Sequence, residues 1–92
     1  MVKITKRGKK AWVTFTLAPE GVQSAMLSGA WNDWHKEPMK IKKSGEFYLT
    51  KVLATGDSYE FGYVVNDKEW RCDDDLGCVM SPYGSDNSLL VL

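Results

Sequence analysis

Apolar and polar side chains alternate with a period of two along most of the chain, and such alternation predicts half-buried strands. Ala11, Val13, Phe15 and Leu17 fall on one face of an extended segment, with Trp12, Thr14 and Thr16 on the other. Successive strand side chains point to opposite sides, so the first set reads as a buried row. Trp12, on the polar side, reads as a partner for a side chain of a neighbouring strand. The strongest strand is Tyr59–Asn66, where Tyr59, Phe61, Tyr63 and Val65 share a face opposite Glu60, Gly62 and Val64. A third row, Ala25, Leu27, Gly29 and Trp31, runs through a strand predicted over Ser24–Ala30 and assigns Trp31 to the core. Shorter strands are expected at Lys3–Thr5, at Pro38–Lys42 with Met39 and Ile41 inward, and at Glu46–Leu53, Glu69–Arg71 and Ser88–Leu92. Within Glu46–Leu53, Phe47 and Leu49 share a face with Lys51, and Val52 interrupts the pattern, so a bulge near Lys51 is expected.

Turn residues separate these runs. Arg7-Gly8-Lys9-Lys10, Pro19-Glu20-Gly21, Asn32-Asp33, Lys43-Ser44-Gly45, Thr55-Gly56-Asp57 and Asn66-Asp67-Lys68 each supply the residue types that reverse a backbone. Cys72–Asn87 is polar and punctuated by Gly77, Pro82 and Gly84, and it reads as a long loop of the kind that is usually functional. No segment has helical periodicity. Seven to eight strands with frequent turns predict an all-β fold, an immunoglobulin-like antiparallel sandwich. Ninety-two residues make one domain, 1–92.

Composition narrows the function. Twelve basic and twelve acidic residues give no net charge, hence no bulk field toward nucleic acid or membrane. Five basic residues lie among the first ten, but no aromatic is interleaved for base stacking, and a charged edge strand explains them better. No apolar run approaches the ~20 residues of a membrane helix, and no signal-peptide core is present, so a cytoplasmic location is expected. Cys72 and Cys78 are too few for a disulfide framework or a four-ligand zinc site, and free thiols are the expectation, with a local loop-closing bridge as the alternative. No metal or other cofactor is expected.

Catalysis finds little support. Asp73-Asp74-Asp75 are adjacent carboxylates in one loop, whereas glycoside hydrolysis needs two facing each other across ~5–9.5 Å of cleft. They also lack the spacing of a calcium loop and read as a solvated acidic turn. With one histidine, His35, taken as a surface residue, no Ser-His-Asp set is available, and there is no Gly-rich phosphate loop. Large rings do occur in or beside turns: Trp34 beyond Asn32-Asp33, Trp70 beyond Asn66-Asp67-Lys68, and Tyr83 in the long loop. Flat rings with hydrogen-bonding neighbours suit the apolar faces and equatorial hydroxyls of sugars, although Trp34 and Trp70 could equally cover the sandwich edge.

Ser28-Gly29-Ala30-Trp31-Asn32-Asp33-Trp34 resembles the Gly-Ser-Phe-Asn-Asn-Trp signature of the family 48 carbohydrate-binding modules. These are the glycogen-binding domains of AMP-activated protein kinase β subunits and the early-set domains preceding isoamylase and branching-enzyme barrels. Trp31 takes the place of the family's core Phe and Trp34 that of its first sugar-stacking Trp. Tyr59–Asp67 is similar to the family's aromatic strand ending in Val-Asp-Gly, and Trp70 falls where the second platform Trp is expected. Tyr83-Gly84-Ser85-Asp86-Asn87-Ser88 resembles the loop whose large residue abuts the glucan helix, which makes Tyr83 the loop contact and Ser85 and Asn87 hydrogen-bonding residues. Gly62 stands where the kinase subunits carry a sugar-contacting lysine, Lys68 is an insertion before Trp70, and the Cys72–Cys78 loop has no counterpart.

The resemblance spans about Ala11 to Leu92 and implies an early-set sandwich that binds α-glucan without catalysis, using Trp34, Trp70, Tyr83, Ser85 and Asn87. The alternative is a protein-interaction module that regulates a glycogen-metabolising enzyme or kinase. A free-standing small version of the module is also an expectation.

Overall fold

Alternating burial is realised as two antiparallel sheets packed face to face. The computed structural model describes residues 1–80 and 86–92. Ten strands occur among these residues. The first sheet is built from β1 (Val2–Arg7), β2 (Lys10–Leu17), β6 (Phe47–Ala54) and β5 (Lys40–Ile41), in that order. In the second, β4 (Glu37–Pro38), β3 (Ala25–Gly29), β7 (Ser58–Val65), β10 (Asp86–Val91) and β9 (Val79–Met80) lie side by side. The short β8 (Glu69–Arg71) pairs with the C-terminal half of β7, and β10 pairs with its N-terminal half. The architecture is that of an immunoglobulin-like early-set sandwich.

The inner rows are the ones the alternation marks. Ala11, Val13 and Phe15 of β2 and Phe61, Tyr63 and Val65 of β7 are completely buried, with Leu27, Leu53 and Leu90 between them. Phe61 meets Phe15 edge-on at 4.9 Å and Tyr63 edge-on at 5.9 Å between ring centroids. On the outer side of the first sheet, Trp12 opposes Val52 and Thr5, and the Thr14 and Thr50 hydroxyls bond at 2.9 Å. That outward Trp12 is a cross-strand partner, as expected.

Several expectations are corrected. The β2–β6 ladder runs in unbroken register from Lys10–Ala54 to Leu17–Phe47, so no bulge exists near Lys51. Val52 simply faces outward, and Lys51, on the inner side, is satisfied by an ion pair with Glu37 at 2.7 Å. Pro38–Lys42 is not one strand. The chain leaves the second sheet after Pro38 and joins the first at Lys40, with Met39 buried at the crossing and Ile41 mostly exposed rather than inward. The strand carrying Trp31 stops at Gly29, and Ala30–Asn32 form a single 3-10 turn. Trp31 still joins the core, by folding back over Gly29 so that its ring centroid lies 5.3 Å from that of Phe15 and 6.0 Å from that of Phe61. A Cβ at Gly29 would lie 2.5–2.6 Å from this ring.

The thiols are not free: Cys72 and Cys78 form a disulfide, their Cα atoms 5.6 Å apart, within the span a bridge requires. Nor is the acidic run wholly solvated. Asp73 is buried, while Asp74 and Asp75 are exposed. The Asp73 carboxylate accepts the Tyr63 hydroxyl at 2.7 Å, the Met1 ammonium at 2.9 Å and the backbone N–H groups of Asp75 and Leu76. Its own N–H donates to the Ser88 hydroxyl at 2.6 Å, which in turn donates to the Gly77 carbonyl. Burial pushes the Asp73 carboxyl up, but these donors outweigh it and hold the group below the usual carboxylate range. Burial, then the bond to Asp73, pushes the Tyr63 hydroxyl up. The loop after β8 is therefore ordered from its base by one buried carboxylate, and it returns to the sheet as β9.

Candidate functional site

Trp34 is presented by a turn that its surroundings over-determine. Asp33 and Trp34 both adopt left-handed backbone, at φ 58° and 65°, where a bulky side chain is rarely found. Two such residues cost on the order of 1–2 kcal/mol each and persist only where neighbours hold them. Here the Trp34 N–H donates to the Gly29 carbonyl at 3.0 Å, and the Ser28 hydroxyl donates to the Trp34 carbonyl at 2.9 Å. The His35 ring lies 2.7 Å from the Asn32 carbonyl, so Nδ1 must carry its proton to bond there. Asn32 Nδ2–H reaches Glu37, which Lys51 holds from the first sheet. The strained turn thus has supports from both sheets, and its effect is to turn the indole outward.

Trp70 arrives from β8, opposite Val64. Its ring lies across the backbone of Gly62, where a Cβ would sit 2.6 Å from Cε2 and 2.7 Å from Cη2. Nε1–H donates to the Asp86 carbonyl of β10 at 2.8 Å, which fixes the ring's rotation. Elements distant in sequence therefore place the two indoles side by side, centroids 6.1 Å apart and planes inclined at 52°. Each tryptophan residue is 39% exposed. Two large rings left open to water beside each other form an apolar platform, which a folded chain would bury unless something else covers it.

Of the remaining expected site residues, the structure describes Asn87. Asn87 lies on β10 at the outer side of the second sheet, almost wholly buried, its Nδ2–H donating to Glu60 Oε1 at 3.2 Å. Tyr83 and Ser85 lie outside the described residues. Three contributors were missed by the sequence reading. Gly62 is the floor under Trp70, Asp86 anchors that ring through a main-chain carbonyl, and Ser28 secures the Trp34 turn. Only Gly62 left a signal, since a glycine inside an aromatic strand often marks the close approach of another group.

No set of three or more His, Cys, Asp or Glu side chains is grouped to hold a metal ion among the described residues. Nor is any helix among them long and apolar enough to cross a membrane. The two indoles present flat apolar faces, with the Asp86 main-chain carbonyl beside Trp70 Nε1.

Residues 9–92 match the family described as the glycogen recognition site of AMP-activated protein kinase. No match is found among curated proteins.

Proposed function

The chain belongs to the family of the glycogen recognition site of AMP-activated protein kinase, and from that premise we propose that it binds α-1,4-linked glucan non-catalytically by stacking glucose rings on Trp34 and Trp70. The observation that carries this reading is the pair of half-exposed indoles 6.1 Å apart with planes inclined at 52°. Inclined neighbouring planes suit a chain whose successive sugars turn, as α-linked glucose does, better than a flat ribbon. Stacking uses the C–H face of each sugar, and the hydroxyls then point to the margin of the platform. By the resemblance Asn87 would add a hydrogen bond, which requires its nearly buried amide to open from Glu60. Tyr83 would close the site and Ser85 would supply a further hydrogen bond, by the resemblance of their loop. Affinity per site should be weak, because each hydroxyl exchanges water for protein at small net gain.

The test is a titration with maltoheptaose or β-cyclodextrin, followed by amide and indole NMR on wild type, Trp34→Ala and Trp70→Ala. Shifts at both indoles, with binding lost in each folded variant, would establish the platform. Unmoved indole resonances at millimolar sugar would remove the carbohydrate reading.

A further inference from the structure

We propose that the Cys72–Cys78 disulfide is a redox-controlled clasp on the glucan platform, so that reducing it loosens Trp70 and lowers affinity. The inference rests on the glucan reading above and adds a regulator to that same site. Its starting point is the shortness of the strand beneath Trp70. β8 has three residues and, among the described residues, pairs with β7 alone. Two residues beyond Trp70, at Cys72, the chain is covalently joined to Cys78, the residue immediately before β9. β9 in turn pairs with Asp86 and Asn87 of β10. The bridge therefore closes a path from the Trp70 strand, through β9, to the strand whose Asp86 carbonyl accepts the Trp70 indole N–H. Cys72 Sγ lies 3.7 Å from that same carbonyl. In the disulfide the sulfur has no hydrogen to donate, so this is packing, and it places the bridge against the ring's anchor.

The loop inside the bridge has its own supports. Asp73 receives bonds from Tyr63, Asp75 and Leu76, and the Ser88 hydroxyl ties Asp73 to Gly77. Those contacts keep the base of the loop seated in the core when the bridge opens, so reduction frees the rim and leaves the domain folded. Cys78 is exposed and Cys72 half-buried, so Cys78 is assigned as the half-cystine attacked. A dithiol reductant supplies what the reaction needs. One of its thiolates attacks Cys78 Sγ and forms a mixed disulfide while Cys72 leaves as thiolate. The reductant's second thiol then closes its own disulfide and releases Cys78. Two electrons and two protons pass to the protein, and the reductant is oxidised.

The experiment compares oxidised protein, protein reduced with dithiothreitol, and the Cys72→Ser/Cys78→Ser double variant in both buffers. Mass spectrometry after alkylation counts the thiols, far-UV circular dichroism reports the fold, and a maltoheptaose titration read by the Trp70 indole resonance reports the site. Expected are a folded reduced protein, a moved Trp70 indole resonance before any sugar is added, and affinity weaker by roughly threefold or more, the scale of an ordered segment gaining open states. The double variant should behave as the reduced protein and ignore dithiothreitol. Equal affinity and an unmoved indole in both redox states overturn the clasp and leave the glucan reading standing. Absence of binding in every state overturns both. Reduction that unfolds the whole domain, or two free thiols persisting under oxidant, overturns the clasp alone.

Discussion

A side chain at position 62 and the indole of Trp70 compete for one space. Gly62 has no unusual backbone torsion, so its role is steric: the ring rests where a Cβ would be. Gly62→Ala should therefore lift Trp70 off β7 and weaken maltoheptaose binding by about tenfold, equivalent to about 1.4 kcal/mol. Since alanine suits a strand at least as well as glycine, the cost should appear in the titration and the Trp70 indole shift more than in thermal stability. Wild-type binding by this variant would show that the flat pose of Trp70 is dispensable. The sequence displayed Gly62 as the absence of a cation, whereas its meaning lies in a contact eight residues downstream that alternation cannot express. Trp34 is similar. An Asn-Asp turn signal was visible at positions 32 and 33, but not the left-handed Trp34 or the Ser28 hydroxyl that secures it.

Strands with strong alternation were legible as elements, because inner and outer faces of β2 and β7 differ in the side chains themselves. Short or crossing elements were not. β4 and β5 read as one strand since nothing local says that Met39 passes from one sheet to the other. Val52 breaks the apolar alternation of β6 and suggests a bulge near Lys51, because the partner that lets Lys51 face inward, Glu37, is set by tertiary placement. Trp31 kept the right destination by another route, folding back from a 3-10 turn. These two features support the Trp34 turn with different strengths, and mutation separates them. Trp31→Ala removes a ring packed on Phe15, Phe61 and Tyr59 and should cost about 3 kcal/mol in urea unfolding. Lys51→Met breaks a partly exposed ion pair and should cost at most about 1 kcal/mol. A reversal of that order would make the ion pair, not the ring, the main support.

Across the whole molecule, one buried carboxylate joins parts that alternation keeps separate. Asp73 is bonded to Tyr63 of β7 and to its own loop, and its N–H reaches Ser88 of β10. Its folded-state carboxyl titrates below the ordinary value of 3.8. In the window between the folded and unfolded values the unfolded chain binds more protons, so stability rises with pH there. The contribution is complete above the unfolded value and disappears as pH falls through the folded one. Asp73→Asn should consequently be less stable than wild type at pH 7 by about 2 kcal/mol, the scale of charge-assisted bonds lost. Between pH 7 and 5 that gap should stay constant, and below about pH 4 it should narrow as the unfolded wild-type chain takes up its proton. Tyr63 gives the opposite limb. Its hydroxyl is raised in the fold, so its contribution is present below the unfolded value of 10.0 and is lost only as pH climbs above it. Tyr63→Phe should remove that alkaline loss and cost about 1–3 kcal/mol at neutrality, because the Asp73 carboxylate then lacks a buried donor. Thermal melts of wild type and both variants from pH 3 to 11 resolve the two limbs. A gap for Asp73→Asn that does not change below pH 4 would show that the charge on Asp73 is not what acid removes, and the loop's order would then have to rest on the Ser88 bonds and the disulfide.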